Sequence, residues 1–150
     1  REFGGANAVE TVEGFIGAGV VVEVVDKGLF QEHNDLVASD PFLRTLNDGP
    51  TDHGTPTYGI IFGDGQTQPT ARGMMPGQPG LFSSYLEIAD RDAHLAEFAN
   101  DFGGVIQSNS WGSAVNRRYT AASATCTATR TRRSWRSSIL VQIRGRPSAR

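Results

Sequence analysis

A single cysteine, Cys126, stands among the 150 residues, which excludes an internal disulfide and any zinc site built from cysteine alone. The redox compartment is not legible from it. Long apolar runs are lacking too: the longest is a few residues, against the roughly 20 that a membrane-spanning helix needs, and no basic start followed by an apolar stretch opens the chain. A membrane span and a visible signal peptide are thereby excluded. The first residue is Arg1 and not a methionine, so a leader lost with the start of a longer product, and with it secretion, stays open. Acids are lacking from one region only. Residues 1–118 hold all 16 acids against 7 bases, a net of −9, whereas 119–150 hold 7 arginines and no acid, a net of +7. The chain therefore reads as two different kinds of sequence, 1–118 and 119–150. What is present, 38% hydrophobic residues, 20% charged residues and 18 glycines, suits one globular core and neither a coiled coil nor a charge-rich disordered segment.

The run Val20 to Val25 is nearly all β-branched and too apolar for a strand with one wet face, which predicts a central strand of a parallel sheet covered on both sides. Asp26 then stands at its carboxyl end, the edge where ligands and chemistry gather in open α/β sheets. Residues 40–57 are rich in Asp, Asn, Gly, Pro and Thr and read as loop. The bulky stretch Thr57 to Phe62 predicts a short buried helix or strand, with Pro56 tolerable in a first helical turn. Leu81 to Tyr85 predicts a second strand. Ile88, Leu95, Phe98 and Phe102 fall near helical spacing, with Asp90 and Asp92 at the positive end and Gly103 as a stop. Gly104 to Ser108 predicts the next strand. With the segment after Pro56 taken as helix, strands and helices alternate, the pattern of a parallel α/β sheet. No internal repeat occurs, and from Ala121 to Ser138 Thr, Ala, Ser and Arg mix with no apolar face.

Four segments carry the chemistry. Val24-Val25-Asp26-Lys27-Gly28 is followed by His33-Asn34-Asp35-Leu36, and His53-Gly54-Thr55 by Gly59-Ile60-Ile61; then come Ala71-Arg72-Gly73-Met74-Met75-Pro76-Gly77 and Asn109-Ser110-Trp111-Gly112-Ser113. In this order they resemble the aspartate block, histidine block, Ala-Arg-Gly-x-Ala-Pro-Gly turn and substrate-cleft strand of the subtilisin-like serine proteases, over roughly residues 15–118. The resemblance implies a subtilisin-like three-layer α/β sandwich with a mostly parallel sheet, truncated. It implies that Asp26 orients His53, which removes the proton of a serine attacking the scissile carbonyl, and that Gly54 is small so that substrate and nucleophile can approach. It also implies that Ser110, Trp111 and Gly112 line the primary specificity pocket and pair with an extended peptide. The substrate is then a peptide or protein, the chain a monomer, and no nucleic acid is expected. No cofactor is implied; structural calcium occurs in the family, with no ligand cluster identifying a site here. Lys27, Pro56, Tyr58 and Met75 depart from the family pattern.

The decisive departure is an absence. No Gly-Thr-Ser-x-Ala block occurs in the 150 residues, nor the Ala-Gly-Asn turn that carries the family's oxyanion asparagine, and Ser123 lacks the preceding Gly-Thr. Either loss is worth orders of magnitude in rate, so the polypeptide is expected to be close to inert. The break in charge near residue 119 predicts a frameshifted, poorly ordered translation from about residue 120. Across Ala128 to Gly145, allowed codons in the shifted frame can spell a helix end, a buried strand and a glycine-flanked asparagine.

Three rivals are weaker. His33, Asp35, Asp52, His53, Asp92 and His94 are types that bind zinc, but their spacing matches no closed ligand motif. Gly14, Gly17 and Gly19 precede the first strand, whereas a dinucleotide fingerprint follows it. The arginines after 119 form the third, a basic arm for nucleic acid or an anionic surface on a non-catalytic module.

Overall fold

The computed structural model describes residues 3–112, residue 118 and the backbone of 139–142. The valine run forms β1, Val22–Asp26, and all five residues are buried. Val20 stays outside the strand: its N–H bonds to the carbonyl of Gly17 (3.0 Å) in a turn whose Gly17 and Gly19 both have positive φ, a conformation that glycine adopts without the Cβ penalty. Gly14 closes α1, Ala6–Glu13, in the same way. The three glycines weighed for a nucleotide are thus spent on backbone turns. The helix α1 has no counterpart in the sequence reading.

Among the described residues four further strands join β1 in one sheet. They are β2, Phe42–Leu43, β3, Leu81–Ser84, β4, Ile106–Asn109, and β5, Ile139–Gln142, in the order β2-β3-β1-β4-β5. Every pairing is parallel. β2 lies within the stretch expected to be loop; it is two residues long and pairs Phe42 with Leu81. β5 lies in the arginine-rich region, while residues 119–138 fall outside the described residues.

The two faces of β1 differ. On one, Val22 and Val24 pack with Leu29, Leu36, Tyr58, Phe62 and Phe82 beneath α2, Gly54–Phe62, which carries Pro56 in its first turn. The Tyr58 ring lies 4.5 Å from Phe62 and 6.3 Å from Phe82, so one of the departures from the family pattern serves as a core aromatic, and Met75 packs against the same cluster. Each such side chain contributes about 1.5–3 kcal/mol by leaving water. On the other face lies α3, Arg91–Asn100, shorter at both ends than its apolar spacing suggests; Asp90 sets its start as N-cap, accepting from the N–H groups of Asp92 (2.9 Å) and Ala93 (3.0 Å).

That second face holds a buried acid, Glu23. Its Oε1 accepts from Arg44 Nη1 (2.6 Å), Ser83 Oγ (2.6 Å) and His94 Nε2 (2.9 Å), and its Oε2 from Gln107 Nε2 (2.7 Å). Burial pushes the Glu23 carboxyl up, but the hydrogen bond and charge of His94, with the bonds from Ser83 and Gln107, outweigh it and hold the group below its ordinary value. Arg44 also donates to Glu97 (3.0 Å) and to the carbonyl of His94 (3.1 Å) and lies over the Phe102 ring at 4.8 Å. This cluster ties β1, β3 and β4 to α3.

Candidate active site

Asp26 ends the central strand, and its side chain shares the face of Val22 and Val24 that α2 covers. His53 immediately precedes α2, so strand end and helix start bring the two together. His53 Nδ1 stands 2.9 Å from Asp26 Oδ1 and 3.0 Å from Oδ2. A carboxylate only accepts hydrogen bonds, so Nδ1 carries a proton, and in the neutral ring Nε2 is left as the acceptor. Asp26 is 1% exposed on its side chain and His53 62%: the carboxylate is enclosed and the imidazole faces outward. The backbone N–H of Lys27 also donates to Asp26 Oδ1, at 2.8 Å.

The loops on either side are pinned to each other. Thr51 Oγ1 donates to the carbonyl of Gly28 (2.9 Å) and accepts from the N–H of Gly54 (2.9 Å), satisfying a free donor at the start of α2. Asn47 bonds both the N–H and the carbonyl of Leu29, at 2.9 and 2.7 Å. Gly54 lies against this junction, where a Cβ would collide with the carbonyl oxygen of Gly28. Its smallness thus serves the approach of two backbone segments, a reason different from the substrate access inferred from resemblance. Gly54→Ala should therefore destabilise the fold by roughly 1–3 kcal/mol, the range for overpacking a rigid site, measured as a lower urea midpoint at unchanged slope. An unchanged midpoint would show that the junction yields at no cost.

Ser110, Trp111 and Gly112 follow β4 directly. Val25 pairs with Asn109, so Ser110 comes level with Asp26 at the same carboxyl edge. Ser110 and Trp111 are half-buried and Gly112 is exposed. The Trp111 ring stacks on Tyr85, with centroids 4.8 Å apart, and the Arg91 guanidinium carbon lies 3.9 Å from its centroid. Sequence reasoning missed Tyr85 and Arg91 as members of this edge. Tyr85 closes a predicted strand, which was a usable signal; Arg91 carried none.

The possible zinc ligands do not converge. Among the described residues no group of three or more His, Cys, Asp or Glu side chains could hold a metal ion. Asp35 instead binds Thr67 through both the backbone N–H (2.5 Å) and the hydroxyl. These bonds hold its carboxyl below the ordinary value. His94 is occupied by Glu23. No helix among the described residues is long and apolar enough to cross a membrane.

Comparison with protein-family models gives no match, and curated proteins give no significant match. Solved structures do match. The psychrophilic subtilisin-like protease Apa1 from the Antarctic psychrotroph Pseudoalteromonas sp. AS-11 superposes with a TM-score of 0.58 at 18% identity, over 86% of this chain and 32% of that one. The prenylagaramide maturation protease PagA gives 0.54 at 22%, over 82% and 45%. The protease domain of PatA, as its S218A mutant, gives 0.53 at 22%, over 82% and 48%. The chain spans about a third to a half of the length of these proteins. Its parallel sheet, with Asp26 and His53 meeting at the carboxyl edge, has the fold of the subtilisin-like proteases.

Proposed function

We propose that the chain is the N-terminal part of a subtilisin-like serine endopeptidase, in which His53 is the general base, Asp26 its orienter, and the Ser110–Gly112 segment a lane for an extended peptide. The observation that carries this reading is the paired contact of His53 Nδ1 with both Asp26 oxygens at 2.9 and 3.0 Å, at the edge of a parallel sheet where chemistry gathers. In the reaction, His53 Nε2 takes the proton of a serine hydroxyl as that oxygen attacks the peptide carbonyl, and returns it to the leaving amine; Asp26 holds the tautomer and stabilises the imidazolium. A base and its orienter without a nucleophile form no acyl-enzyme. The 150-residue chain has no Gly-Thr-Ser-x-Ala block, and the same reading takes 119–150 as translation in a shifted frame.

The purified chain incubated with a broad protease substrate should match buffer. A longer product bearing the serine block should hydrolyse it and lose that activity on His53→Ala. Hydrolysis by the 150-residue chain that vanishes on His53→Ala would place a nucleophile elsewhere in it, and a serine-bearing form indifferent to His53 would end the proposal.

A further inference from the structure

Beyond the dyad, the carboxyl edge holds an arrangement that the reaction does not use. Tyr85 follows β3 and Trp111 follows β4, the two strands that flank β1. Their rings meet at 4.8 Å, so they bridge the end of the strand that carries Asp26. Arg91, the first residue of α3, lays its guanidinium 3.9 Å from the Trp111 ring centre. A cation in the first helical turn opposes the helix dipole, and acids are preferred there. Contact with the face of an indole offsets that cost.

Among the described residues the Arg91 side chain makes no hydrogen bond and no ion pair. The neighbouring Asp90 is already occupied with the N–H groups of Asp92 and Ala93, and Asp92 has an interaction of its own. Arg91 is half-buried. A guanidinium seated over an indole, with its N–H edges uncommitted, suits the two parallel bonds of a carboxylate.

We infer that Arg91, seated on Trp111, is a specificity-determining residue that selects peptides with an acidic side chain near the bond to be cut. The inference rests on the reading of Ser110–Gly112 as the peptide lane. Trp111 belongs to that lane, so an acidic side chain of a bound peptide comes within reach of the group stacked on it. Lysine could supply the charge but not the planar fork, and glutamine in the peptide could supply one acceptor but no charge.

The test uses the whole 150-residue chain and fluorescently labelled decapeptides in which one glutamate occupies each position in turn, each compared with its glutamine counterpart by polarisation at low salt. At one position glutamate should bind about three- to ten-fold tighter than glutamine, the range for a charge-assisted contact at a partly exposed site. Arg91→Gln should abolish the difference between the two series, and Arg91→Lys should keep only part of it, with circular dichroism confirming that both variants fold. Equal binding of the two series, or a preference that survives Arg91→Gln, would overturn the inference and leave the peptide lane standing. Absence of binding by every peptide would overturn both.

Discussion

Asp26→Asn in a form of the protein that carries the serine block should lower kcat by about four orders of magnitude, the loss recorded for the equivalent change in another serine protease, and leave the fold intact. The carboxylate is 1% exposed and contacts His53 Nδ1 through both oxygens, so no water replaces it as the group that selects the tautomer. An asparagine keeps the shape and one oxygen, which can still accept from the N–H of Lys27. Its amide nitrogen, however, presents a donor to Nδ1 and favours the proton on Nε2, the atom that must receive it from serine. His53→Ala should be at least as damaging. The fold is read by circular dichroism and turnover on a chromogenic peptide; near-normal kcat in folded Asp26→Asn would remove Asp26 from the mechanism.

Arg44→Ala should cost about 3–5 kcal/mol of stability, the range for removing one partner of a buried ion pair. Arg44 and Glu23 are 2% and 0% exposed on their side chains and 2.6 Å apart. Truncation leaves the Glu23 carboxylate enclosed with His94, Ser83 and Gln107 and removes the guanidinium that lies over the Phe102 ring. The same acid sets a pH dependence. Its carboxyl is held below the ordinary 4.5 in the fold, so the stability gained from its ionisation is complete above that value and is lost as pH falls through the lower, folded one. Urea midpoints of the intact chain should fall on acidification below about 4.5, and Glu23→Gln should flatten that decline. A midpoint shift under about 0.5 kcal/mol for Arg44→Ala, the size typical of exposed sites, would show that the pair is effectively solvated.

The central strand, its carboxyl-terminal aspartate and the alternation of strands with helices were legible because each rests on local pattern: a β-branched run, a cap aspartate, a glycine stop. The contact of Asp26 with His53 was legible only through resemblance, since 27 positions separate them and no local rule joins a strand end to a helix start. Glu23 was passed over inside its valine run, although a lone acid in such a run must find partners; which ones, Arg44 and His94 among them, depends on strand order. β2 was hidden because two residues carry no alternation. β5 was hidden because four residues sit between stretches of arginine and serine, and composition averaged over 119–150 masks Ile139-Leu140-Val141. The stack of Tyr85, Arg91 and Trp111 draws on three elements and has no signature in any of them.

The most direct test of the account is the proton on His53 Nδ1, observed by NMR in chain labelled with nitrogen-15 at histidine. Held between the ring and both Asp26 oxygens, it should give a strongly downfield resonance that disappears in Asp26→Asn while His33 and His94 keep their signals. A His53 whose Nδ1 bears no proton, or whose resonance is unmoved by Asp26→Asn, would contradict the dyad and the function built on it.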